Sequence, residues 1–170
     1  MTTRKMVFTA LFAALGIIIP QIFHLFGGPT LGFTLLPIHL PVFIGAMLLG
    51  PISGMIIAVV SLTVGVLLGM PPFLIAVFMM VEMVTYGFVT GYLYYTKKWN
   101  IFLSLTLGKT SGMLMSLLAI NIALLLFDLA LPPTFGTIAM FSLGIPGIII
   151  QFILVPIIVI RLKGVRYLYE

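Results

Sequence analysis

The chain has 170 residues, of which 62% are hydrophobic and 6% charged, with a mean hydropathy of +1.36 and a formal net charge of +5. A soluble fold carries roughly 25% charged residues, so this composition leaves no material for a water-exposed surface and points to an all-α integral membrane protein. A pI near 9.8 does not argue for nucleic acid, because seven of the eight basic residues (Arg4, Lys5, Lys97, Lys98, Arg161, Lys163 and Arg166) fall in three short clusters that membrane topology explains.

Lys and Arg accumulate in cytoplasmic loops, so the three clusters mark three returns to one side, with both termini expected to be cytoplasmic. Crossing a hydrocarbon core of roughly 30 Å takes about 20 residues, which leaves room for a single bundle of six helices using residues 1–170 as one domain. Helix 1 is expected over about 6–25. Its Arg4-Lys5 start and apolar run mimic a secretory signal, but the run ends in Pro20 without a small-x-small cleavage site, so it reads as a retained helix. An outer loop at Gly27–Thr34 follows. Helices 2 and 3, about 35–49 and 52–68, are separated only by Leu49-Gly50-Pro51, and Pro37 and Pro41 fall in the first turns of helix 2, where proline is tolerated. A re-entrant pair of half-length helices is the alternative. After an outer turn at Gly69–Pro72, helix 4 is expected over 73–95 and helix 5 over 101–127. An outer loop at Asp128–Thr137 then leads to helix 6 over 138–160. Trp99 and Tyr92, Tyr94 and Tyr95 beside Lys97 and Lys98, with Tyr167 and Tyr169 after helix 6, fit interfacial anchoring.

Small residues recur one turn apart at Gly50/Gly54, Gly65/Gly69, Gly87/Gly91 and Gly108/Gly112, and at Ala10/Ala14 with Thr9/Ala13. Helices in lipid gain little from apolar burial, so such pairs let backbones approach and collect dispersion contacts. For helix 1 a docking face for another membrane subunit is the alternative to internal packing.

The motifs of chemistry are largely missing. Gly108-Lys109-Thr110 resembles the tail of a phosphate-binding loop, but Leu103 stands where the earlier glycine is required, and the segment lies in a membrane helix. Paired carboxylates, His-Glu-x-x-His, Gly-x-Ser-x-Gly and clusters of metal ligands do not occur, so neither an enzyme nor a metal or cofactor site is expected. Cysteine is absent. What remains is a sparse set of polar groups at membrane depth, where their cost marks them as functional unless paired: His39, Glu82, Lys109, Asn121 and Gln151. Four of them fit one outward-opening cavity. Lys109 fits least, lying toward the inner half of helix 5, where it would pair with Glu82 or snorkel to the cytoplasm. The loop residues Phe33 and Met70 lie over that cavity, Phe33 on a Gly-rich stretch suited to a lid.

The order Leu36-Pro37-Ile38-His39-Leu40-Pro41-Val42, Gly50-Pro51-Ile52-Ser53-Gly54, Gly69-Met70-Pro71-Pro72, Glu82 with Tyr86-Gly87, and Gly144-Ile145-Pro146-Gly147-Ile148 resembles the substrate-binding S components of energy-coupling factor (ECF) vitamin transporters. The resemblance runs through nearly the whole chain and is nearest to the branch taking up pantothenate, hydroxymethylpyrimidine or α-ribazole. It implies a subunit of the prokaryotic plasma membrane that binds a vitamin from outside, under a closing first loop. It also implies an alanine-rich helix 1, here Ala10, Ala13 and Ala14, that docks on a transmembrane coupling subunit working with two cytoplasmic ATPases. Tyr86 joins the expected site through this resemblance. With no cation placed in the outer cavity, Glu82 and Asn121 suit a pyrimidine or benzimidazole nitrogen better than the carboxylate of pantothenate. The rival readings are an autonomous proton-coupled carrier or small channel using Glu82 and His39, and a structural protein with no ligand.

Overall fold

The computed structural model describes residues 1–127 and 142–163, and every regular element among them is helical. The helices are α1 (Thr3–Leu35), α2 (His39–Leu49), α3 (Pro51–Leu67), α4 (Phe73–Gly91), α5 (Ile101–Phe127) and α6 (Ile145–Lys163), with a π-helical turn, Tyr92–Thr96, extending α4. Four stretches are long and apolar enough to cross a membrane: Thr3–Gly28, Phe73–Thr96, Ile101–Leu126 and Ile145–Lys163. Helices α2 and α3, with 11 and 17 residues, are shorter, and α2 is only about 16 Å long at 1.5 Å per residue. Every residue of α2 except Leu40 is buried, and the helix touches α1, α3, α4 and α6. A helix apolar on all sides belongs in an interior, and α2 is the hub of this one.

The expected helix 1 (6–25) and outer loop (Gly27–Thr34) need correction. The chain is helical from Thr3 to Leu35, broken only at Gly28, whose φ of 64° and ψ of −168° suit a residue without a Cβ. The stretch read as a loop is therefore a kinked continuation of α1. Helix 2 starts later than expected, at His39. A residue before proline is biased away from the α region, and Leu36, which precedes Pro37, takes a left-handed φ of 50° and caps α1 by donating its N–H to the Gly32 carbonyl at 3.0 Å. Pro41 then falls in the first turn of α2. The expected helix 6 starts among residues outside those described, as do the loop Asp128–Thr137, Arg166, Tyr167 and Tyr169; α6 itself continues to Lys163, past the expected end at 160.

Glycine spacing explains the tight centre. A Cβ on Gly54 of α3 would meet the Gly87 carbonyl of α4 at 2.7 Å, and one on Gly91 would meet Pro51 at 2.7 Å, so two of the expected Gly pairs lie directly on each other. On the other face of α4, Gly112 of α5 sits against the Glu82 carbonyl, again 2.7 Å from where its Cβ would be. On α1 the inward stripe is Thr9, Ala13 and Gly16, with the Ala13 carbonyl accepting from Ser61 Oγ of α3 at 3.1 Å.

Candidate functional site

A cavity of about 310 Å³ opens where the C-terminal parts of α1, α3 and α5 meet the N-terminal parts of α2, α4 and α6. Its walls come from every helix. The kinked part of α1 supplies Gln21, His24, Thr30 and Thr34, the turn before α2 supplies Pro37, and the turn before α4 supplies Met70 and Pro71. The volume lies at the lower edge of the range for small-molecule pockets, and the lining is mainly apolar with few polar groups, as such pockets usually are.

The polar floor is built from three helices. Lys109 Nζ of α5 donates to Glu82 Oε1 of α4 at 2.6 Å, both side chains being about nine-tenths or more buried. The same ammonium lies 5.6 Å from the centroid of the Tyr86 ring, which stacks on Phe43 (4.2 Å) and His39 (5.4 Å) of α2. His39 lines the cavity with both ring nitrogens buried and without a hydrogen-bond partner, and Tyr86 Oη and Gln151 Oε1 are buried and unpartnered as well. Buried polar groups are normally satisfied, because an unmade hydrogen bond costs about 1–3 kcal/mol. An ion pair neutral as a whole, next to an imidazole with free valences, can take a ligand carrying both a donor and an acceptor: Glu82 accepts, Lys109 donates, and His39 does either.

The expected site residues separate in space. His39, Glu82 and Met70 line the cavity together. Lys109, expected to fit it least, also lines it: Gly112 lets α5 approach Glu82, and Lys109 stands one turn away, about 4.5 Å along the axis, a step its four-carbon stem spans. Tyr86 and Gln151 lie behind the wall, Gln151 donating its Nε2 to the Leu36 carbonyl at 3.5 Å. Asn121 is exposed and donates to the Leu117 carbonyl of its own helix at 2.8 Å, away from the cavity. The Phe33 side chain lies outside those described. His24 and Gln21 carry no motif that marks them in the sequence, although their three-residue spacing puts them on one helical face. A Cβ on Gly32 would lie 2.6 Å from His24 Cε1, so Gly32 admits the imidazole. Of the alanines, Ala10 is exposed, Ala14 half-buried and Ala13 buried. All three line a shallow groove with Ile56 and Val60 of α3, Ala13 at its base. Among the described residues no group of three or more potential metal ligands occurs.

Comparison with known proteins returns one family. The family model for the substrate-specific component of ECF transporters matches residues 4–159, which includes all six helices up to the last turn of α6. No curated protein and no solved structure matches the chain.

Proposed function

Since the chain belongs to the substrate-specific components of ECF transporters, a family of importer subunits, we propose that its cavity binds a water-soluble vitamin or vitamin precursor from outside the cell. The observation that carries this reading is the Glu82–Lys109 pair in the cavity wall with the buried, unpartnered His39 imidazole beside it. That cavity opens at the end of the bundle opposite Lys5, Lys97, Lys98 and Lys163. With lysines on the cytoplasmic side, the cavity mouth faces out and both termini face in, through six crossings of which α2 and α3 form the shortest. The exposed Ala10 and half-buried Ala14, with Ile56 and Val60, form the face for the coupling subunit, and the buried Ala13 lies at the base of the same groove.

For the ligand we favour a neutral nitrogen heteroaromatic of the hydroxymethylpyrimidine or α-ribazole class, because an amino-imine edge both donates to Glu82 and accepts from Lys109 without breaking the charge balance of the floor. Lys109 in the wall supports a second reading, a carboxylate-bearing vitamin such as pantothenate. Co-purification tests the assignment to an importer: the tagged chain should bring a membrane coupling subunit and two ATPases, and alone in liposomes it should bind but not accumulate substrate. Concentrative uptake by the pure chain in a proton gradient would establish an autonomous carrier instead.

A further inference from the structure

The end of the bundle opposite the cavity holds its lysines more closely than topology requires. The positive-inside bias depends on how many Lys and Arg flank the spans, not on where their ammonium groups lie. Here Lys5 of α1 and Lys98 beyond α4 converge on the same ring, their Nζ atoms 5.1 and 4.9 Å from the centroid of Tyr95. They stand no farther apart than the sum of those distances. Tyr95 is fixed from behind by the α2–α3 turn: a Cβ on Gly50 would come within 3.0 Å of Tyr95 Cδ1, and Gly50 holds a φ of 93°. Lys98 has a φ of 59°, uncommon for a residue with a side chain, and the flanking Lys97 and Trp99 N–H groups close the π-helical turn onto the Tyr92 and Leu93 carbonyls at 2.9 and 3.0 Å.

The left-handed Lys98 closes the end of the π-helical turn, and with Lys5 it brings two like charges to one ring, an arrangement that an anion would stabilise. Among the described residues the one carboxylate is Glu82, which is engaged with Lys109 in the cavity floor. The depth identifies the anion. Lys5 stands at the start of the apolar stretch Thr3–Gly28, and Lys98 stands just beyond the stretch Phe73–Thr96, where hydrocarbon gives way to headgroups. Ile52 and Trp99, both exposed beside the turn, offer apolar surface to acyl chains.

We propose that Lys5, Lys98 and Tyr95 form a site for the phosphodiester headgroup of an anionic phospholipid, which the two ammonium groups clamp over the tyrosine ring. A free phosphate shares this chemistry, so the test needs an arm for each source. Full-length protein extracted from vesicles of equal parts phosphatidylglycerol and phosphatidylcholine is examined by native mass spectrometry for retained lipid. Phosphatidylglycerol should be enriched over its bulk share by about fivefold or more, on the scale of one lysine at an anionic surface. Lys5→Gln/Lys98→Gln should abolish the enrichment, and Tyr95→Leu should reduce it with every charge in place. Lys97→Gln/Arg161→Gln, which removes the same net charge from the same end, should leave it. Equal loss in the two double variants, or none in either, would overturn the site. Displacement of the lipid by millimolar inorganic phosphate would overturn the lipid assignment in favour of a free anion.

Discussion

Removing either member of the Glu82–Lys109 pair should destabilise the protein far more than removing both. The two groups meet at 2.6 Å with side chains 10% and 6% exposed, so little solvent is at hand to take over from a lost partner. Glu82→Gln leaves a buried ammonium without its carboxylate, and Lys109→Met leaves the reverse. Breaking a buried pair costs about 3–5 kcal/mol, and insertion scales give about 2.5–3.5 kcal/mol for a lone charge at membrane depth. For a chain of this size each kcal/mol moves Tm by about 2–4 °C, so each single variant should melt roughly 10 °C below wild type. The double variant Glu82→Gln/Lys109→Met removes both charges and should recover most of that loss, so the sum of the two single losses should exceed the double's loss by about 5 kcal/mol. The assay is thermal melting of detergent-solubilised protein, followed by the fluorescence of Trp99. Ligand binding should not recover with stability, because the double variant has lost both the acceptor and the donor of the cavity floor. A double variant melting as low as the summed single losses would show that the two groups do not act as a pair and would refute the reasoning.

His39→Leu should leave the melting of the ligand-free protein within about 1 kcal/mol of wild type, since no partner of either ring nitrogen is lost, yet weaken binding by about 5- to 150-fold, measured by calorimetry. Ala10→Trp and Ala14→Trp should preserve binding and abolish uptake in whole cells, whereas Ala13→Trp, at a position only 4% exposed, should lower Tm instead. Gly54→Leu should cost roughly 1–3 kcal/mol in the same melting assay, because its Cβ would press on the Gly87 carbonyl, which the backbone of α4 cannot move aside. Single cysteines at Thr30 and Lys98 should label with a membrane-impermeant reagent from outside and inside respectively; labelling of position 98 from outside would reverse the topology.

Composition and basic clusters were enough to expect helical membrane spans, and α3, α4 and α5 begin within a residue of where apolar runs and breakers place them, because Pro51, Pro72 and Asn100 are strong local signals. Three features were not legible. Gly27-Gly28-Pro29 reads as a loop by local propensity, yet only Gly28 departs from helical geometry, as the chain beyond it closes over the cavity. Helix α5 is apolar on nearly all sides, so sequence does not fix its rotational phase. Asn121 follows Ile120, which lines the cavity, by one residue, and that rotation of about 100° takes it out of the site. Depth assigned by counting residues put Lys109 away from the cavity, because counting ignores both the reach of a lysine stem and the close approach that Gly112 permits.

The most direct test of a vitamin-binding cavity is a thermal-shift screen of the purified protein against water-soluble vitamins and their precursors. A ligand at 100 times its Kd adds about 2.7 kcal/mol, or roughly 8 °C. One such compound, a nitrogen heteroaromatic, should stabilise the wild-type protein, and its stabilisation should disappear in Glu82→Gln/Lys109→Met while the variant itself stays folded. A shift of the same size in that double variant would place the ligand elsewhere and contradict the account.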